Sequence, residues 1–266
     1  MKRLALFFTL FISSCSVVPK ISTSERSDQG IISNGKILAT AYHQRAAEYR
    51  ALCLQAYNVA HARVDELVKE NTTKPKAIIT DIDETVLNNS PYQAHQALEN
   101  KDYEQATWTQ WTTMANADTI PGAFSFLTYA NSKGIEIFYI TNRNESEREG
   151  TLKNLQKFNF PNADNAHLFL RDNVSSKEGR RKNIEATHEV VMLLGDNLSD
   201  FSFLFDAKNS NERMKNVNAS SAAFGNRFII LPNITYGDWE SSLYDFNYSL
   251  TMQQKDSVIK SKLISY

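Results

Sequence analysis

The chain has 266 residues, 42% hydrophobic and 22% charged, with a formal net charge of −1. That is the composition of a folded globular protein, long enough for one large domain or two small ones. The balanced charge excludes a chain built around a nucleic-acid polymer or another polyanion, so any basic patch has to be local.

Lys2 and Arg3 precede an apolar run from Leu4 to Ile12, too short to span a bilayer, and Ser13-Ser14-Cys15 follows. A basic start, a short apolar stretch and small residues read as a secretory leader over residues 1–14. Ile12-Ser13-Ser14-Cys15 resembles a bacterial lipobox, which implies lipidation at Cys15 and a membrane anchor. Ser16 after the cysteine resembles the outer-membrane sorting choice. The polar, Ser-rich stretch of 15–36 reads as a tether. If Cys15 carries lipid, Cys53 has no partner for an intrachain disulfide, and its apolar helical setting suits a buried hydrophobe. Triplets such as Asn71-Thr72-Thr73 are incidental behind a bacterial leader.

From Ile37 to about Glu70 there is no Gly or Pro. Leu38, Tyr42, Tyr49, Cys53, Ala56, Ala60, Val64 and Leu67 recur at a helical period, giving one long helix or two in series. The run Ala77-Ile78-Ile79-Thr80 reads as a buried strand that ends in Asp81-Ile82-Asp83. On a strand, residues two apart share a side, so Asp81 and Asp83 face one way and Ile82 the other. Residues 88–118, polar and aromatic with Trp108 and Trp111, read as a helical cap inserted over the strand ends. A helix over 123–131 stops at Gly134. A strand over 135–141, a helix over 145–158, a short strand over 167–170, a basic helix over 177–187, a strand over 190–195 and a last strand over 228–231 follow. Strands alternating with helices predict an α/β fold, a parallel sheet flanked by helices, in one domain over 37–266. No internal repeat interrupts it. The Tyr- and Lys-containing tail over 241–266 packs, exchanges or frays.

The chemistry collects at the carboxyl ends of these strands, where open α/β sheets bind ligands. Asp81 and Asp83 end the first strand, Thr141-Asn142-Arg143 the second, and Asp196 with Asp200 the fourth, while Lys177 opens a helix. Singly, each has a bland reading: an acidic turn, a helix cap, a solvated lysine, a helix N-terminal charge. Together they share one sheet edge. Acids clustered there suit a hard divalent ion such as Mg²⁺, and a lysine beside a hydroxyl suits an anion. A carboxylate next to a metal can attack phosphorus, and a second one can pass the protons. That is phosphoryl transfer by positioning and electrostatics.

Asp81-Ile82-Asp83-Glu84-Thr85, Ile140-Thr141-Asn142-Arg143, Lys177 and Gly195-Asp196-Asn197-Leu198-Ser199-Asp200 resemble the four motifs of the haloacid dehalogenase (HAD)-like phosphatases. More narrowly the chain resembles the bacterial class C acid phosphatases, lipoprotein phosphomonoesterases and 5′-nucleotidases. Asn89-Ser90-Pro91-Tyr92, Trp108-Thr109-Gln110-Trp111, Leu231-Pro232-Asn233 and Tyr236-Gly237-Asp238-Trp239-Glu240 extend the likeness, which covers about 37–240 plus the leader. The resemblance implies a HAD-like, Rossmann-type sheet with Asp81 as nucleophile and Mg²⁺ ligand. Asp83 would be the acid/base and ligate through its backbone carbonyl. Thr141 and Lys177 would hold the phosphoryl group, Asp196 would ligate the metal, and Asp200 would act from the outer shell. Asn142, Arg143, Trp108 and Tyr236 would meet the substrate, the two rings lying against its base or ring. Asn88 departs from relatives that carry an acid there.

The expected partner is a small phosphate ester, such as a nucleoside monophosphate or nicotinamide mononucleotide, at the bacterial outer membrane. A homodimer stays open. The alternative is a phosphate- or metal-binding surface lipoprotein without turnover. A receiver domain also groups acids, Thr and Lys around a metal, but its lysine comes last, whereas here acids follow Lys177.

Overall fold

The computed structural model describes residues 31–266, with side chains from Asn34 onward. The leader, Cys15 and most of the tether lie outside the described residues. Two helices in series open the described chain, α1 (Ile31–Arg45) and α2 (Ala47–Leu67), broken at Ala46, whose backbone is extended (φ −77°, ψ 125°). The central strand β1 (Lys76–Thr80) follows. The insert then runs through β2 (Leu87–Asn88), α3 (Ser90–Leu98), α4 (Gln105–Thr113) and β3 (Asp118–Thr119). After it come α5 (Ala123–Ser132), β4 (Glu136–Ile140), α6 (Arg148–Lys157), β5 (Leu168–Phe169), α7 (Glu178–Glu185), β6 (Glu189–Gly195), α8 (Ser210–Ala219), β7 (Phe228–Ile230), α9 (Asp238–Ser241) and α10 (Met252–Lys262).

Among the described residues, one parallel sheet runs in the order β5-β4-β1-β6-β7. The strand that leads into the paired acids is therefore central, hydrogen-bonded to β4 and β6. Alternation splits its side chains between two cores. Ile78 joins Tyr57, Phe126, Ile137 and Met192 under α2 and α5, while Ala77 and Ile79 join Phe138, Ile184 and Leu193 beneath α7. A central strand covered on both faces needs a near-continuous apolar run, and that is what 77–79 supplies.

The insert is closed at its base by an antiparallel pair, Leu87 opposite Thr119 and Asn88 opposite Asp118. The cap over 88–118 is thus helical only between its ends. Two expectations change in the structure, and one alternative left open is decided. Leu38, read as part of the apolar stripe, is 73% exposed, because α1 packs through Ala39, Thr40 and His43 instead. β1 stops at Thr80, so Asp81 and Asp83 are not strand residues. They share an edge through a tight loop in which the Val86 and Leu87 N–H groups both donate to the Ile82 carbonyl at 2.8 Å and Ile82 is fully buried. Of the alternatives for the tail, packing holds over α10, which lies on α1 with Lys255 and Asp256 buried, while residues 263–266 beyond it are exposed. Cys53 lies in the main core, and no described helix is long and apolar enough to cross a membrane.

Candidate active site

β1 and β6 run side by side with Thr80 opposite Leu194, and the Asp81 N–H donates to the Leu194 carbonyl at 2.9 Å. That register sets Asp81 beside Asp196. Lys177 caps α7, and its ammonium donates to Asp81 Oδ1 and lies 2.7 Å from Asp200 Oδ1. Lys177, Asp81 and Asp200 are all buried. Asp81, Asp196 and Asp200 each offer an oxygen within 4.8 Å of the others.

Asp200 is held from several sides. Its Oδ2 accepts from the Asn197 N–H at 3.0 Å in a capping box. Arg181 Nη1 fastens the same turn through the Ser199 and Asp200 carbonyls at 3.0 and 2.9 Å. Gly195 has to be glycine here for steric reasons: a Cβ would fall 2.6 Å from Asp200 Cγ, with Oδ2 and Cβ nearer still. Asp196 Oδ2 accepts from Asn233 Nδ2 at 2.8 Å.

Burial pushes the Asp81 carboxyl up to about 7; Lys177 opposes the rise, while Asp200 and Asp83 add to it. Asp196 is raised well above the usual carboxylate range by burial and then by Asp200 and Asp81. Lys177 is raised as well: burial pulls its ammonium down, but Asp200 and Asp81 outweigh that. One amine among these acids leaves the group short of positive charge. Oxygen-only, with Asp81 and Asp200 buried and Asp196 half-buried, these acids fit a hard divalent cation.

Asp83 faces a different set of partners. Its Oδ1 accepts from Arg143 Nη2 at 2.8 Å, Arg143 Nε at 3.0 Å and Asn89 Nδ2 at 2.9 Å. Thr141 Oγ1 donates to its Oδ2 at 3.1 Å. Arg143, expected against substrate, is 2% exposed and spends its remaining Nη1 on Thr151 Oγ1 at 3.0 Å. Its guanidinium thus orients Asp83 and also sits 5.7 Å from the Trp108 ring. Asn142 is exposed, and its Oδ1 accepts from Arg180 Nη2 at 2.7 Å.

A cavity of about 590 Å³ opens from these groups, lined by Asp81, Asp83, Asn142, Lys177, Trp108 and Tyr236. Trp108 packs edge-on against Tyr92 with centroids 5.0 Å apart. Trp111 turns inward, donating to Asn89 Oδ1 at 2.8 Å. Tyr236 O–H donates to Glu84 Oε2. Glu84 is buried at φ 58°, and burial followed by the Asp83 charge pushes it up to about 8, against the Tyr236 and Asn89 hydrogen bonds.

Sequence reasoning missed the roles of Glu84, Asn89, Arg180, Arg181 and Asn233. The helix over 177–187 read only as basic, with no role for Arg180 or Arg181, yet both are buried. Arg180 Nη1 donates to the Thr141 carbonyl at 2.6 Å. The available signal was spacing: residues three and four after Lys177 share its helix face.

A parallel sheet whose central strand runs into two aspartates, met by a lysine and two further acids beneath an inserted cap, is the architecture of the HAD-type phosphatases. The family model described as HAD superfamily, subfamily IIIB (Acid phosphatase), matches residues 27–239, and the chain belongs to that family. The class C acid phosphatase from Bacillus anthracis is 40% identical, with a TM-score of 0.85 over 88% of this chain and 99% of that one. A structure of that enzyme with tungstate bound gives the same identity and TM-score over 88% and 98%. A stem 31 kDa glycoprotein of Glycine max is 25% identical over 125 residues, 45% of this chain and 49% of that protein. The chain therefore spans about half the length of that curated relative.

Proposed function

We propose that the protein is a Mg²⁺-dependent phosphomonoesterase that hydrolyses small phosphate esters, such as nucleoside monophosphates or nicotinamide mononucleotide, through an aspartyl phosphate at Asp81. The observation that carries the reading is the Asp81 carboxylate, bonded to Lys177 inside an acid cluster that opens on the 590 Å³ cavity. A cavity of that size suits a nucleotide-sized ligand. The relative solved with tungstate supports an oxyanion site, since tungstate is tetrahedral like phosphate.

Asp81 and Asp196 would hold the metal, with the Asp83 backbone carbonyl. Both oxygens of Asp200 are already engaged, by Lys177 and the Asn197 N–H, which favours an orienting role. When bound, the ion would supply neutralisation of phosphoryl charge. Lys177 keeps Asp81 oriented and offsets its charge as an anion enters. Asp81 attacks phosphorus while the bond to the leaving oxygen breaks, and Asp83 delivers the proton to that oxygen. Asp83 then takes a proton from water, which attacks phosphorus and releases Asp81. For that, Asp83 exchanges part of its Arg143 bridge for the reacting oxygen.

Asp81→Asn assayed on a chromogenic aryl phosphate, with Mg²⁺ and with chelator, is the test. Loss of turnover in both arms is expected; full turnover in the variant removes the covalent mechanism. Release of inorganic phosphate from a nucleoside monophosphate separates this reading from a binding lipoprotein without turnover. The same reading anchors the chain at the outer membrane through Cys15, so Cys15→Ser is expected to move the protein to the soluble fraction.

A further inference from the structure

The cavity wall has a second charged part that shares no ion pair with the acid cluster. It is made by Lys36 of α1, Asp102 of the insert and Lys255 of α10. Lys36 Nζ lies 2.6 Å from Asp102 Oδ1 and Lys255 Nζ 3.4 Å from Asp102 Oδ2, so one carboxylate takes an amine on each oxygen. The Tyr103 N–H donates to the same Oδ1 at 2.9 Å, and Gln96 Nε2 holds the Asp102 carbonyl at 2.6 Å. Lys255 is buried and sits 5.2 Å over the Tyr244 ring, which also lines the cavity.

Asp102 thereby fastens the first and last described helices to the insert, across 66 and 153 residues of sequence. Each contact closes a long loop, and each joins a largely shielded lysine, 18% exposed at Lys36 and 10% at Lys255, to Asp102, which is 43% exposed. Ion pairs of this kind are weak and screened by salt, so they make a closure that opens easily. They do not make a structural pillar.

We propose that Asp102 is a specificity-determining residue: its two ion pairs latch α1 and α10 against the insert and limit the size of the leaving group the cavity admits. The proposal rests on the phosphomonoesterase reading. α1 stays packed on α3 of the insert; with the latch released it is the α10 side of the wall that parts, and an ester with a longer leaving group fits without a change in the groups that meet phosphorus.

The test compares kcat/KM for a 5′-phosphorylated dinucleotide with kcat/KM for a small chromogenic aryl phosphate. Asp102→Asn keeps an acceptor for the Tyr103 N–H while removing the charge, and Lys36→Met with Lys255→Met removes the amines while keeping their apolar stems. Either variant is expected to raise the dinucleotide-to-aryl ratio about fivefold, mainly through KM, on the scale of one or two surface ion pairs. Roughly 1 M salt, where the screening length is about 3 Å, is expected to raise the ratio in the parent and not in Asp102→Asn. Aryl phosphate turnover and a cooperative melt report that each variant is folded. An unchanged or lowered ratio in the folded variants overturns the proposal, as does an equal loss of kcat on both esters. A parent that hydrolyses neither ester overturns the phosphomonoesterase reading, and this proposal with it.

Discussion

Gly195→Ala adds a single methyl group at the most crowded contact of the site. The new Cβ would stand 2.6 Å from Asp200 Cγ, with Asp200 Cβ nearer. Ordinary carbon contacts begin near 3.5 Å, so something has to move by about 1 Å. The obstacle includes the root of the Asp200 side chain, and Asp200 belongs to a short turn held by its own capping box and by Arg181. Overpacking of this sort costs about 1–3 kcal/mol. Displacing Asp200 also weakens its 2.7 Å pair with buried Lys177. A loss near 3 kcal/mol in total lowers Tm by roughly 6–12 °C in a chain of this size. A misplacement of about 1 Å at Asp200 is expected to lower kcat about 100-fold, with KM for an aryl phosphate less affected. Thermal melts and steady-state assays at saturating Mg²⁺ measure both effects. A variant that melts within about 2 °C of the parent and keeps kcat within about threefold refutes the reasoning, because the turn would then yield at little cost.

Lys177→Met leaves Asp81 and Asp200 buried without their cation and is expected to cost about 3–5 kcal/mol. Added Mg²⁺ is expected to raise the melting temperature of this variant more than that of the parent, as calorimetry would show. His43 is buried, stacked on Tyr49 at 4.3 Å, and its Nε2 accepts from the Ile234 N–H at 3.3 Å. Burial lowers its pKa from 6.5 to about 4, so the folded state favours the neutral ring. Stability is therefore full above pH 6.5 and falls as pH drops toward 4, by at most about 3 kcal/mol. Urea unfolding at pH 7 and pH 4.5 is expected to show a smaller difference in His43→Gln than in the parent. His167 behaves oppositely: burial pulls it down, but Asp164 and Glu136, at 2.7 and 2.6 Å, outweigh that and raise it. Its contribution is present below pH 6.5 and lost as pH rises through the raised value. His167→Gln is expected to lose about 1 kcal/mol at pH 6 and nothing at pH 9, by the same assay.

The sheet was legible because its main strands are β-branched or apolar runs ended by polar residues or glycine, Asp81 after β1, Thr141-Asn142 after β4 and Gly195-Asp196 at the end of β6, and the alternation with helices left little freedom in topology. The meeting of Asp81, Lys177, Asp196 and Asp200 followed from the sheet edge alone. Other features were not legible, for physical reasons. α8 carries no apolar stripe and buries mainly Arg213, whose guanidinium reaches the Phe205 carbonyl and Asn197 Oδ1. Arg143 looked like a substrate group and Arg180 carried no reading, because a charge in sequence carries no sign of its partner. Only the folded chain brings Asp83 to one and the Thr141 carbonyl to the other. Leu38 obeyed the helical period, yet the partners of α1 choose a different face, and those partners lie far along the chain.

The two-residue strands β2 and β3 have a consequence for engineering. Because Leu87 pairs with Thr119 and Asn88 with Asp118, the insert leaves and rejoins the chain through adjacent backbone. A donor segment from a homologue can be grafted between about 91 and 117 without altering the spacing of the recipient's strands. Such chimeras retain Asn89, and with it the anchor on Asp83. The roof over the pocket is exchangeable where the donor keeps Trp111 on Asn89 and Thr109 on Glu147, the contacts that tie it to the floor.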